Sequence, residues 1–249
     1  MHTFADHFSA LAPAYAAARP TYPPELFEWL GGLAPRRRLA WDCAAGNGQA
    51  TLPLAAVFDE VLGTDASDAQ LAQAPRHPRV RYRVALAHAS GLAPASVDLV
   101  TVAQALHWLD PATFFLEARR VLASRGVLAV WCYGLPLTGE ERVDHALARF
   151  YHETVGPYWC PERRLVESGY RTLPFPFAEL EPPAFELAHD WTLRQLLAYV
   201  ATWSATARFL ASERSDPMGP LAAELRPAWD DDRVRRIRWP LSLRVGRVA

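Results

Sequence analysis

The chain has 249 residues, enough for one large domain or two small ones, with a core that needs no disulfide or metal staple. Apolar residues make up 51% and charged residues 21%, with a net charge of −1, so no overall field steers the chain to nucleic acid or to a membrane surface. It contains no Lys, which excludes Schiff-base chemistry, a phosphate-binding loop ending in Lys, and dehydrogenases built on a Tyr-x-x-x-Lys pair.

The N-terminal stretch "MHTFADHFSALAP" has no basic segment followed by an apolar one, so no secretory signal is expected. No apolar run approaches membrane-spanning length. Apolar runs then recur in order: "RLAWDCA" (38–44), "EVLGTD" (60–65), "VRYRVAL" (80–86), "VDLVTVAQA" (97–105) and "GVLAVWCYG" (126–134). Each is short and bounded by Gly, Pro or charge, as expected of strands buried on both faces of a parallel sheet. Helical segments lie between them. Ser67 and Gln70 have capping-box spacing, with Pro75 beyond. Asp110-Pro111 reads as an N-cap and first helical residue, followed by the apolar face of Phe114, Leu116, Val121 and Leu122.

The second half is less regular. Residues 135–175 are too long for a simple connection and read as a helical cover over the carboxyl edge of the sheet. "AFELAHDWT" (184–192) reads as a further strand and "LRQLLAYVATW" as a helix. "WPLSLRVGRV" alternates Leu241, Leu243 and Val245 with Ser242, Arg244 and Gly246, a half-buried strand near the sheet edge. The sum is an α/β doubly wound, seven-stranded, mostly parallel sheet in a single domain over 1–249, its last strand pair antiparallel. Cysteines 43, 132 and 160 form no C-x-x-C and sit mostly in apolar runs, which suits a reducing cytoplasm and gives no zinc site. The His residues are scattered, so no metal is expected.

Chemistry concentrates after the first strand, in "WDCAAGNGQAT" (41–51). A strand, a loop of small residues and a helix form a nucleotide-type site, because backbone approaches a ligand closely only where side chains are minimal. Asn47, the only Asn in the chain, stands between Gly46 and Gly48 and reads first as a residue tolerant of left-handed backbone, and second as a direct ligand contact. A dinucleotide fingerprint fails at its third glycine, where Thr51 stands. The loop matches Asp-x-Gly-x-Gly-x-Gly instead, with Ala44 at the first glycine. Asp65 ends the second strand where a carboxylate can take both ribose hydroxyls. With Asp42 upstream, the balance moves from NAD to S-adenosylmethionine.

Five elements carry a family resemblance in order: "YAAARPTYP", "WDCAAGNGQAT", "VLGTDAS", "VDLVTVAQALHW" and "FFLEARRVLASRGVLAVWCYG". Over residues 4–134 the chain resembles class I S-adenosylmethionine-dependent methyltransferases of the type 11 group, which includes trans-aconitate methyltransferase-like proteins. The C-terminal "LSLRVGR" also fits, and 135–235 fits loosely. The resemblance implies a Rossmann-like methyltransferase fold. It implies that Asp42 and the backbone of Ala44, Gly46, Asn47 and Gly48 cradle the methionine part of the cofactor. Asp65 would hold the ribose and Ala66 the adenine. Ala87 and His88 fall where the family often has Ala-Glu, so His88 is a departure. Gln104 ends the fourth strand beside the methionine moiety. Tyr15 and Arg19, in an N-terminal helical segment (1–35), would close over the cofactor.

For the acceptor, His107-Trp108 follows the fourth strand at the carboxyl edge, where ligands bind in such folds. His107 reads as a base, an acceptor-binding donor or a structural residue. Trp108, Tyr133, Tyr151 and Trp159 are candidates for pocket walls. The expected activity is methyl transfer to a small-molecule acceptor, a carboxylate or hydroxyl oxygen, with no nucleic-acid or membrane partner. A carboxylate acceptor needs no base. The alternatives are a cofactor-binding protein without transfer activity, or an NAD-linked oxidoreductase.

Overall fold

Strands that are apolar throughout can be buried only if helices cover both faces of their sheet. The structure is a computed structural model, and it describes residues 19–248. Among the described residues, nine strands run in chain order: β1 (Leu39–Cys43), β2 (Glu60–Asp65), β3 (Val80–Val84), β4 (Val97–Ala103), β5 (Leu122–Tyr133), β6 (Ala178–Leu180), β7 (Leu187–Trp191), β8 (Arg235–Trp239) and β9 (Leu241–Arg247). Seven form one sheet in the order β3-β2-β1-β4-β5-β9-β6. The first five are parallel, and β9 pairs antiparallel with both β5 and β6.

The five predicted N-terminal strands are present. The segment 184–192 also forms a strand, β7, but β7 pairs with β8 in a separate two-stranded ribbon. The sheet's remaining strand is Ala178–Leu180, three residues too short to show a period of two. β9 therefore lies inside the sheet, with β6 as the edge. Ser67 Oγ accepts from Gln70 N–H at 3.3 Å and caps a short helix.

β5 displays the two-sided burial most clearly. Val127, Ala129, Trp131 and Tyr133 face one core, which contains α1 (Pro24–Leu33). Leu128, Val130 and Cys132 face the other, packed on Phe114, Ala118 and Val121 of the helix Pro111–Val121. Trp131, fully buried, meets Tyr22 and Phe27 edge-on at 5.5 and 6.2 Å. The predicted cover contains the helix Glu141–Arg149, a π turn at Phe150–Thr154 and the short helix Arg163–Glu167. Helices Leu193–Ala201, Ser204–Glu213 and Met218–Leu225 complete that side with the β7–β8 ribbon. Among the described residues no helix is long and apolar enough to cross a membrane.

One side chain ties the end of the cover to the sheet. Arg244 of β9, 13% exposed, donates to Tyr170 O at 2.7 Å and Leu173 O at 2.8 Å, and pairs with Glu179 of β6 at 2.6 Å. Its guanidinium lies 4.5 Å from the Phe175 ring. Replacing it leaves the Leu173 carbonyl without this donor and the Tyr170 carbonyl with only the Leu173 N–H, and it breaks the Glu179 ion pair. Arg244→Met is expected to lower stability by about 2–3 kcal/mol in urea unfolding. A loss below about 0.5 kcal/mol, ordinary for a surface change, would contradict this role.

Candidate functional site

The chain crosses from β3 on one side of β1 to β4 on the other, so the loops after β1 and β4 diverge at the carboxyl edge of the sheet. A cavity of about 970 Å³ opens there. Its walls come from the loops after β1 to β4, the end of β5, and Cys160, Glu162 and Arg208 of the cover side.

The glycine loop forms its floor. Ala44, Gly46 and Gly48 have φ of 56°, 56° and 85°. Asn47 does not, so its expected conformational role is overturned. The reason lies in the turn: Gly48 N–H donates to Ala45 O at 2.9 Å, and the left-handed residue of that turn is Gly46. Asn47 lines the cavity at 8% exposure. A Cβ on Gly46 would meet only Gln70 Oε1, at 3.8 Å, so the ligand side is open. Gly48 is outside the cavity wall, and a Cβ there would collide with the Tyr82 hydroxyl. Gly48 shapes the loop from behind rather than touching the cavity.

Two carboxylates anchor this loop differently. Asp42, 1% exposed, accepts the Thr51 hydroxyl at 2.6 Å on one oxygen and the Thr101 hydroxyl at 2.8 Å on the other. Burial raises its pKa from 3.8 to about 6, against the lowering effect of both hydroxyls. Asp65 accepts Gly46 N–H and Ser67 N–H, each at 2.9 Å, and lines the cavity. Ala66, Ala87 and His88 line the same end.

Gln104 has φ 55°, and its amide brackets the Tyr133 backbone, accepting N–H at 2.8 Å and donating to the carbonyl at 3.4 Å. Arg19 donates to the Tyr133 hydroxyl at 3.2 Å and to Thr202 O at 3.3 Å, behind a tyrosine that lines the cavity. Tyr15 lies outside the described residues.

At the opposite end stand His107, Trp108 and Tyr133. His107 is 5% exposed, with Nδ1 at 3.0 Å from the Tyr170 hydroxyl. Burial first, and the Arg163 charge second, lower its pKa from 6.5 to about 3. Burial pushes the Tyr170 hydroxyl well above its ordinary pKa, with the nearby backbone N–H groups of His107 and Leu106 acting against that rise. With the Tyr170 hydroxyl as donor to Nδ1, the ring proton of the neutral histidine sits on Nε2. Tyr170 was not legible in the sequence: it is 63 residues from His107 and has φ 60°, a conformation no pattern of residue types announces. Tyr151 and Trp159 do not line the large cavity. They line a second one of about 350 Å³, and Cys160 is common to both.

A family model described as a methyltransferase domain matches residues 41–130, from β1 into β5. The chain is 33% identical to a Dictyostelium discoideum protein named as a methyltransferase, over 91% of this chain and 87% of that one. The chain belongs to the class I S-adenosylmethionine-dependent methyltransferases, type 11 group. This methyltransferase is also 34% identical to an uncharacterized methyltransferase of Mycobacterium tuberculosis, over 79% of this chain and 76% of that one. A solved structure described as a type II methyltransferase from Anaeromyxobacter dehalogenans superposes with TM-score 0.86 at 47% identity, over 92% of this chain and 97% of that one. The matched domain supplies the floor of the cavity, whereas the cover walls of this methyltransferase lie beyond it.

Two outcomes follow from the geometry. A left-handed alanine costs about 1–2 kcal/mol, more than a glycine loses in chain entropy. Ala44→Gly is therefore expected to raise stability by about 0.5–1 kcal/mol, measured as a higher Tm, and a lower Tm would count against the loop conformation. In nitrogen-15 NMR, His107 should stay neutral with its proton on Nε2 down to pH 5. Because its folded pKa lies below the unfolded 6.5, its contribution to stability is complete above pH 6.5 and is lost on acidification toward about 3. A protonation midpoint above 6 would refute this assignment.

Proposed function

We propose that the large cavity holds S-adenosylmethionine and a small-molecule acceptor side by side. The observation that carries this reading is the pairing of Asp65 at the end of β2 with an open Gly46 beside it. When bound, S-adenosylmethionine supplies an electrophilic sulfonium methyl group and leaves as S-adenosylhomocysteine. A carboxylate offers about four lone-pair sites, so ribose hydroxyls can share Asp65 with the two backbone N–H groups. Ala66 and Ala87 give the adenine flat, small walls, with His88 at its edge. The loop Ala44–Asn47 surrounds the methionine end, and Gly48 supports it. Asp42 lines the cavity beside the loop and sets it through Thr51 and Thr101, at the methionine end of the cofactor.

The acceptor end lies between His107, Trp108 and Tyr133. A histidine with pKa near 3 is a poor base at neutral pH but remains a hydrogen-bond donor through Nε2. That favours an acceptor oxygen needing no deprotonation, as in a carboxylate, over a hydroxyl. The domain is taken as one unit over 1–249. The expected N-terminal closure with Tyr15 lies outside the described residues, Arg19 backs the Tyr133 wall, and the cover at 135–175 excludes water. The near-zero charge favours a small molecule over nucleic acid or a membrane surface. Three free, buried cysteines agree with a cytoplasmic location.

Calorimetry should give micromolar binding of S-adenosylmethionine and S-adenosylhomocysteine and none of NAD. Asp65→Ala should weaken S-adenosylhomocysteine by about 1.5–3 kcal/mol, roughly 10–150-fold. Unchanged affinity would remove Asp65 from the site, and binding of NAD alone would overturn the cofactor assignment. A screen of small acids and phenols with labelled methyl groups then identifies the acceptor.

A further inference from the structure

The second cavity, about 350 Å³, lies in the cover and shares Cys160 with the large one. Its main cation is held unusually firmly. Arg163 Nε donates to the Tyr151 hydroxyl at 2.7 Å, and its guanidinium sits 4.5 Å from the Trp159 ring and 5.3 Å from the Tyr151 ring. Those rings are themselves fixed: Tyr151 donates to Glu167 at 2.8 Å, and Trp159 Nε1 donates to Tyr151 O at 3.2 Å. Arg163 is half-buried, and among the described residues no carboxylate forms an ion pair with it; its fixed contacts are the Tyr151 hydroxyl and two aromatic rings.

An arginine fixed in this way has lost its side-chain freedom and part of its hydration without gaining an internal counterion. Its planar fork suits a carboxylate. Arg164 and His152 line the same cavity, so cationic and basic groups outnumber the single carboxylate of Glu167, which already accepts from Tyr151. The charge also reaches His107 on the wall of the large cavity.

We propose that the second cavity is the distal part of the acceptor site, where Arg163, clamped by Tyr151 and Trp159, anchors a carboxylate at the end of the acceptor remote from the methylated atom. The proposal rests on the acceptor site described above. It assigns Tyr151 and Trp159 the task of orienting a cation, and it divides the labour: the large cavity takes the reacting group, and the small one reads the charge of the tail.

The test uses the full chain loaded with S-adenosylhomocysteine. Benzoate, phenylacetate and succinate serve as probes, each paired with its neutral amide, in ligand-observed NMR titrations. At least one carboxylate should bind tenfold or more tighter than its amide. That preference should fall in the order wild type, Arg163→Lys, Arg163→Gln. Inorganic phosphate, a free-anion probe, should bind at least tenfold more weakly than the best carboxylate. The proposal is overturned if no carboxylate is preferred over its amide, if the preference survives Arg163→Gln, or if phosphate binds as tightly, which would mark a free-anion site. The amide comparison in the wild type needs no variant, so it holds even where Arg163→Gln fails to fold. Titration of S-adenosylhomocysteine itself reports the cofactor reading separately, so the two can fail independently.

Discussion

Asp65 accepts one backbone N–H from the loop after β1 and one from the loop after β2. The parallel register that sets Asp42 opposite Gly63 and Cys43 opposite Thr64 brings the end of β2 beside the glycine loop. A single carboxylate can then fix Gly46 in its left-handed turn and cap the approach to the next helix. Hydrogen bonds to a charged acceptor are worth roughly 1.5–3 kcal/mol each, enough to hold a loop that contains a strained Ala44. The floor of the cavity follows from that constraint. Asp42 supports it from below, as a buried carboxylate held by two threonine hydroxyls on two different elements.

The acceptor end has a different foundation. His107 and Trp108 leave β4 in a short 3₁₀ turn, and what fixes the histidine is Tyr170, presented from the cover. Tyr170 is in turn held by Arg244 of β9 through its carbonyl. The strand in the interior of the sheet thus helps place the hydroxyl that meets His107 at the sheet's edge. Under the proposed function, a neutral, oriented histidine would position an acceptor oxygen rather than remove a proton.

Legibility in the sequence followed the range of the interactions. β1 to β5 were readable because each carries its burial in a local run, and Asp65 because it ends such a run. Strand β6 was not readable, since three residues carry no period. The ribbon β7–β8 was half readable: the strand pattern at 187–191 is local, but its partner at 235–239 is set by tertiary packing. Asn47 misled because composition and flanking glycines suggested a backbone role, while the turn put its left-handed residue at Gly46. Gly48 was placed in the correct loop but on the wrong side, a matter of where Tyr82 reaches. Tyr170 depends on a contact 63 residues away, and the rings that clamp Arg163, though close in sequence, meet it only in the folded cover, so no spacing announces either.

The most direct measurement is a crystal structure of the full chain with S-adenosylhomocysteine. The account predicts both ribose hydroxyls within about 3 Å of the Asp65 carboxylate and the amino-acid end along Ala44 to Asn47, with His107 and Trp108 beyond the sulfur. A ligand seated elsewhere, or one whose ribose leaves Asp65 bonded only to Gly46 and Ser67, would contradict it.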